Sequence, residues 1–139
     1  MMIGEKKELV FAYGSLRKGF HNNHILKTAM LVSENARTKE ACFQMRSLTV
    51  YPAVVEGGIH RIQGDVYEVG PKVLKALDKF EGNGLNYQRK LVDVISTSDE
   101  RFWTCWMYIF LHDQARFDDA SENPLIDENT AKWQMPVFD

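Results

Sequence analysis

The sequence predicts an α+β domain, and three observations carry that expectation. Five or six short runs place apolar residues as strands do, and one segment, PKVLKALDKFE, is an amphipathic helix with its own start and stop residues. The strands are not regularly interleaved with helices, as they would be in a parallel α/β sheet. With 139 residues the chain reads as one domain, 1–139, large enough to bury a core without disulfides or metals.

Leu9 to Tyr13 alternates Leu9, Phe11 and Tyr13 with Val10 and Ala12, a strand that runs into a turn at Gly14. Glycine lets the chain bend there, so Ser15 and Leu16 expose backbone N–H groups beyond the strand end. Successive N–H groups of such a turn can converge on a carboxylate or carbonyl oxygen, although an ordinary strand-to-loop turn has the same residues. Next, Asn22 or Asn23 is placed to cap a short helix over ILKTAMLV. Ala41, Phe43 and Met45 alternate with Cys42 and Gln44 as a strand, and Tyr51 to Val55 is a short extended piece closed by Glu56-Gly57-Gly58. Arg61 to Val69 is the next strand, with Ile62, Gly64 and Val66 on one face.

The helix begins at Pro71, whose missing N–H costs nothing in the first turn, and stops at Gly82, a natural left-handed terminus. At about 100° per residue, Val73, Leu74, Leu77 and Phe80 share one face and Lys72, Lys75 and Lys79 the opposite one. Residues 88–96 and 101–111 are two strands joined by a polar turn. FWTCWMYIFL is apolar on both faces and therefore central or covered on both sides. From residue 112 to 139 the chain is polar and irregular, with Leu125, Ile126 and Trp133 as packing anchors.

Composition excludes several classes. A formal net charge of −2 leaves no electrostatic footprint for nucleic acid or an anionic membrane surface. Cys42 and Cys105 lie far apart in apolar segments and read as reduced core thiols of a cytoplasmic protein. MMIGEKKELV shows no signal peptide, and the longest apolar run is too short to cross a bilayer. His21 and His24 lack a third ligand at helical spacing, so no metal is expected. Ser15 is not a nucleophile elbow, since the second glycine of G-x-S-x-G is missing. The turn does not supply a phosphate loop either.

Glu81 is the most informative residue. It stands four residues after Leu77 and seven after Leu74, on the apolar face of the helix and in its last turn. Burial and the negative helix end both disfavour the carboxylate and push its pKa up, towards proton transfer near neutral pH. The residues alone equally allow a Glu that frays out to solvent after Phe80. Tyr13 either lines a pocket or finishes its strand. Tyr87 either donates to a substrate or to the carboxylate, or sits on a rim. Arg89 reads as a structural pair with a carboxylate.

The order of these segments carries a resemblance. Tyr13-Gly14-Ser15-Leu16 after an apolar strand, Gly64-Asp65-Val66-Tyr67, Leu77-Asp78-Lys79-Phe80-Glu81-Gly82 and Tyr87-Gln88-Arg89 resemble the signatures of the γ-glutamylcyclotransferase-like (AIG2-like) superfamily. The likeness covers roughly residues 8 to 111, and within the superfamily the chain looks closest to the γ-glutamylamine cyclotransferase branch. It implies a small mixed β-barrel with flanking helices and a pocket at one mouth, with Glu81 at the position of the single catalytic carboxylate. It further implies cyclisation of a γ-glutamyl amine or peptide to 5-oxoproline, with Tyr13, Gly14, Ser15, Leu16, Tyr51 and Tyr87 around the substrate and no cofactor or metal. The alternative is a non-catalytic module that binds a small carboxylate-bearing metabolite in the same pocket. Which amine leaves, and the oligomeric state, stay open at this level.

Overall fold

The computed structural model describes residues 6–20, 22–47, 52–111, 121–122, 125–127 and 130–132. Strand β1 (Glu8–Ala12) leads into the turn, and a single 3-10 turn (Asn23–Leu26) precedes β2 (Met30–Thr38). Then come β3 (Phe43–Ser47), β4 (Pro52–Glu56), β5 (Arg61–Val69), helix α1 (Pro71–Glu81), β6 (Tyr87–Ser96) and β7 (Phe102–Phe110). Three short strands follow, β8 (Ser121–Glu122), β9 (Leu125–Asp127) and β10 (Thr130–Ala131).

Five strands close on themselves in the order β1-β7-β6-β2-β5, and β5 returns to β1. The result is the small mixed barrel that the resemblance implied: β1 runs parallel to β7 at Val10↔Trp106 and antiparallel to β5 from Glu8↔Val69 to Ala12↔Asp65. Closure needs Gly64. A Cβ there would lie 2.4 Å from the Ala12 carbonyl oxygen, closer than real atoms approach, so only glycine lets the two backbones meet. Strands β3, β4 and β8 form a second, three-stranded sheet.

Phe11, Ile62, Val66, Val94, Cys105 and Met107 fill the barrel, all but fully buried. Leu74 and Leu77 seat the helix on a second cluster with Val10, Tyr67, Val69 and Tyr108. Burying each leucine stabilises the helix against the barrel by roughly 2 kcal/mol. Gly82 ends it in the left-handed conformation (φ 61, ψ 50), its N–H reaching the carbonyls of Asp78 and Lys79.

Four expectations change. ILKTAMLV is not a helix: the 3-10 turn ends at Leu26, and Met30 begins β2, which pairs with both β5 and β6. A helix of two turns cannot offset its nucleation cost, whereas Met30, Leu31 and Ser33 find ladder partners in β5. Asn22 and Asn23 do not cap with their side chains; both instead donate to the turn after β1. Cys42 is exposed, because it precedes β3 and its carbonyl is what the fold uses, accepting from Gly57 and Gly58; Cys105 alone is a buried thiol. The C-terminal segment is not wholly irregular, since β10 pairs in parallel with β5 and Ala131 is buried in the core. Trp133 and His21 lie outside the described residues, as do the side chains of Leu125 and Ile126. Among the described residues no helix is long and apolar enough to cross a membrane.

Candidate active site

A cleft, partly open to solvent, lies where the end of β1, the end of α1 and the start of β6 meet. The turn residues Gly14, Ser15 and Leu16 line it together with the end of β1, Pro52, Phe80, Glu81, Tyr87 and Tyr108. Tyr13, Gly14, Ser15, Leu16, Glu81 and Tyr87, singled out from the sequence, all line it. Tyr51 lies outside the described residues; its neighbour Pro52 is in the wall.

The turn is held from outside the cleft. The Arg17 N–H closes it onto the Gly14 carbonyl at 3.0 Å, and the Arg17 guanidinium runs inward to Asp65 at 2.9 Å, both residues buried. The same Asp65 carboxylate accepts from the backbone N–H groups of Lys18 and Asn35, and Arg17 also donates to Asn35 Oδ1. Asn35 adopts φ 62, in the left-handed region that asparagine tolerates, where the register of β2 against β5 shifts. Asn22 donates to Ser15 Oγ at 2.8 Å, and Asn23 to the Leu16 carbonyl at 2.8 Å and to the Tyr67 hydroxyl at 3.0 Å. With its carbonyls and side chains engaged in this way, the turn leaves amides over. Among the described residues none accepts a hydrogen bond from the N–H of Gly14, Ser15 or Leu16.

Glu81 is the last residue of α1 and half-buried. Burial pushes its carboxyl from 4.5 up to about 7. Among the described residues no lysine, arginine or histidine lines the cleft, so no cation opposes that rise. The helix end that carries Glu81 is clamped one turn earlier. Asp78 accepts from Arg89 Nε at 2.9 Å and from the Tyr108 hydroxyl at 2.7 Å, and the Arg89 guanidinium stacks 4.3 Å over the Trp106 ring. Arg89 is thus a structural partner, as its position suggested.

Tyr87 does not donate to Glu81: its hydroxyl donates to the Pro52 carbonyl at 2.6 Å. The Tyr13 hydroxyl donates to the Tyr108 carbonyl at 2.5 Å, and burial holds its phenol well above the usual range. Sequence reasoning did not find Tyr108, hidden in an uninterrupted apolar run, nor the Arg17–Asp65 pair, which only the barrel brings together. Asp78 could have been noticed, since it breaks the helix's lysine-rich face three residues before Glu81.

The arrangement sets a proton-exchanging carboxyl in one cleft with amides that no described residue engages and, among the described residues, with no cation, which suits a ligand carrying both a protonated amine and oxygen atoms. Comparison with known proteins gives the family. The family described as "Gamma-glutamyl cyclotransferase, AIG2-like" matches residues 10–134. A protein of Methanocaldococcus jannaschii provisionally named a gamma-glutamylcyclotransferase is 40% identical over 105 residues, spanning 74% of this chain and 84% of its own. The gamma-glutamylaminecyclotransferase of Homo sapiens is 33% identical over 98 residues, 62% of this chain and 61% of that one. The crystal structure of an AIG2-like protein of Mus musculus shares the fold, with a TM-score of 0.69 at 20% identity over 88% of this chain and 99% of that one. The chain belongs to the AIG2-like gamma-glutamyl cyclotransferase family.

Proposed function

We propose that the protein cyclises a γ-glutamyl amine or γ-glutamyl peptide to 5-oxoproline, with Glu81 as general base and then general acid. The observation that carries this reading is the Glu81 carboxyl, pushed to about 7, in the same cleft as the free amides of Gly14 to Leu16. The substrate's α-amine and γ-carbonyl belong to one molecule, so holding it folded supplies most of the proximity the reaction needs. Glu81 takes a proton from the α-ammonium, and the nitrogen attacks the γ-carbonyl carbon. The new C–N bond closes a five-membered ring and the old amide C–N bond breaks, while the departing nitrogen gains two protons, the one Glu81 returns and the one the ring nitrogen sheds as it becomes an amide, and leaves as an ammonium. The turn amides hold the substrate carboxylate or the oxygen on which charge develops.

No metal or cofactor takes part in this scheme, and a chelator should leave the activity unchanged. The likeness to the human gamma-glutamylaminecyclotransferase supports an amine rather than a peptide as leaving group. The free thiols Cys42 and Cys105 support the cytoplasm as the compartment. The test is a panel of γ-glutamyl amines and peptides incubated with pure protein while 5-oxoproline is measured. Release from at least one compound, abolished in Glu81→Gln, is expected. Binding of these compounds with no 5-oxoproline formed would leave a metabolite-binding module in place of an enzyme.

A further inference from the structure

Asp65 meets the loop after β1 at both of its ends. Where the chain enters, Ala12, the last residue of β1, is paired with Asp65 in the β1–β5 ladder. Where it leaves, Arg17 Nη2 reaches Asp65 Oδ1 at 2.9 Å and the Lys18 N–H reaches Oδ2 at 3.1 Å. Between these anchors run Tyr13, Gly14, Ser15 and Leu16, all of which line the cleft, whereas Arg17 and Asp65 are not among its lining residues. For stability alone the pair is an unfavourable arrangement. Its side chains are only 6% and 1% exposed, so both charges have lost their water. Nη2 is shared between Asp65 and Asn35 Oδ1, and among the described residues Nη1 has no hydrogen-bond partner. A buried pair with an orphaned nitrogen regains little of its desolvation penalty. What it does fix is a position. One carboxylate on β5 accepts from Arg17, from the Lys18 N–H and from the Asn35 N–H of β2, so the end of the loop is tied to two strands at once.

Resting on the cyclotransferase reading above, we infer that Arg17 and Asp65 are positioning residues for the reaction, an ion pair behind the cleft that holds Tyr13 to Leu16 in place relative to Glu81. The loop and the carboxyl arrive on separate elements. Glu81 comes on α1, which Leu74 and Leu77 seat on the barrel and the Asp78–Arg89 pair fixes near its end. The loop comes on β1, and among the described residues no hydrogen bond joins Tyr13 to Leu16 with α1. Their relative placement is therefore set by their separate anchors, and the loop's anchor at its far end is Asp65. A displacement of about 1 Å between groups that must act on one substrate costs on the order of a hundredfold in rate, so an anchor that adds nothing to stability still matters to turnover.

The test uses Arg17→Met, Arg17→Met/Asp65→Asn and Arg17→Lys. The double variant removes both charges together, which a buried pair tolerates better than the loss of one partner, so a folded protein without the pair is at hand if the single variant is unstable. Without the pair, kcat/KM for 5-oxoproline release per folded molecule should fall at least about tenfold. The midpoint of its acid limb should stay near 7, because Glu81 is untouched. Affinity for L-glutamine, the simplest γ-glutamyl amide, should fall about fivefold by calorimetric titration in the Glu81→Gln background, where turnover is stopped. In the ligand-free protein, amide relaxation by NMR should show order parameters at Gly14, Ser15 and Leu16 dropping from about 0.85 to below about 0.6 while β6 and β7 stay rigid. Arg17→Lys should restore kcat/KM and affinity to within about threefold, since both bonds leave a single nitrogen and a lysine ammonium can make them. A pair that only stabilises the fold would lower the melting temperature and leave turnover, affinity and loop order unchanged per folded molecule, which would overturn the inference. So would a loss that Arg17→Lys does not recover. If the wild type binds L-glutamine but releases no 5-oxoproline from any γ-glutamyl compound, the cyclotransferase reading falls instead, and affinity and relaxation still decide whether the pair positions the loop.

Discussion

Glu81 carries opposite consequences for stability and for chemistry because one physical cause, burial, lifts its carboxyl from 4.5 to about 7. The folded pKa is raised, so the favourable contribution is complete below about 4.5 and is lost as pH rises through about 7. Above pH 7 the wild type thus holds a carboxylate where the fold prefers the acid. The Glu81→Gln variant should be more stable by on the order of 2 kcal/mol at pH 8, after allowance for the residue's partial exposure. Near pH 4 the two should melt together. Thermal melts across that range measure the difference, and a variant less stable at pH 8 would show Glu81 to be a structural partner. Turnover should fall at least about a hundredfold in the same variant. In the wild type, kcat/KM should climb about tenfold per pH unit below 7 and level off above it, since the base must be ionised to act. A flat acid limb would remove Glu81 from the proton transfer.

The turn and the helix are the two elements that meet at the cleft, and they were unequally legible. Helix α1 could be read to both ends, because a proline at its start, a glycine at its stop and a four-residue apolar stripe all act locally. That same stripe placed Glu81 on the inward face. The turn announced itself through Gly14, but its bracing did not: Asp65, Asn35 and Arg17 are distant in sequence and reach one another only through β-pairing. Gly14 is also tight against a neighbour the sequence does not reveal. A Cβ there would lie 2.8 Å from Pro52 Cγ, and Pro52 is in turn tied to Tyr87. Gly14→Ala should therefore push the turn off its seat by a few tenths of an ångström while leaving the barrel intact. The expected result is a kcat/KM lowered roughly tenfold to a hundredfold with a melting temperature within a few degrees of wild type. Unchanged kinetics would separate the turn from the reaction.

At the scale of the whole molecule the barrel depends on one seam. Strands β2, β6 and β7 are joined by antiparallel ladders, and β6 and β7 follow a pattern visible in the sequence. The seam between β1 and β5 joins residues more than fifty positions apart, and no periodicity announces such a pairing. The parallel contact of β10 with β5 is only two residues long and equally silent. Strand β2 departs from the expected helix for the same reason: where the two overlap, its conformation is set by its pairing with β5 and not by its own residues. Gly64 is where this non-local closure becomes testable. An added methyl would meet the Ala12 carbonyl oxygen at 2.4 Å and the Phe11 ring at 2.9 Å, and backbone oxygen cannot swing aside as a side chain can. Gly64→Ala should cost about 3 kcal/mol and lower the melting temperature by on the order of 10 °C. Gly57→Ala is the comparison: its φ of 91 strains any side chain, but nothing lies within 4 Å, so the loss should stay near ~1 kcal/mol. Because β1 delivers Tyr13 and the turn to the cleft, Gly64→Ala should also lose affinity for L-glutamine at temperatures where it remains folded. Gly57→Ala, at the end of β4, should leave that affinity unchanged. A Gly64→Ala protein as stable and as competent as wild type would mean that β1 and β5 do not close the barrel where Ala12 meets Gly64.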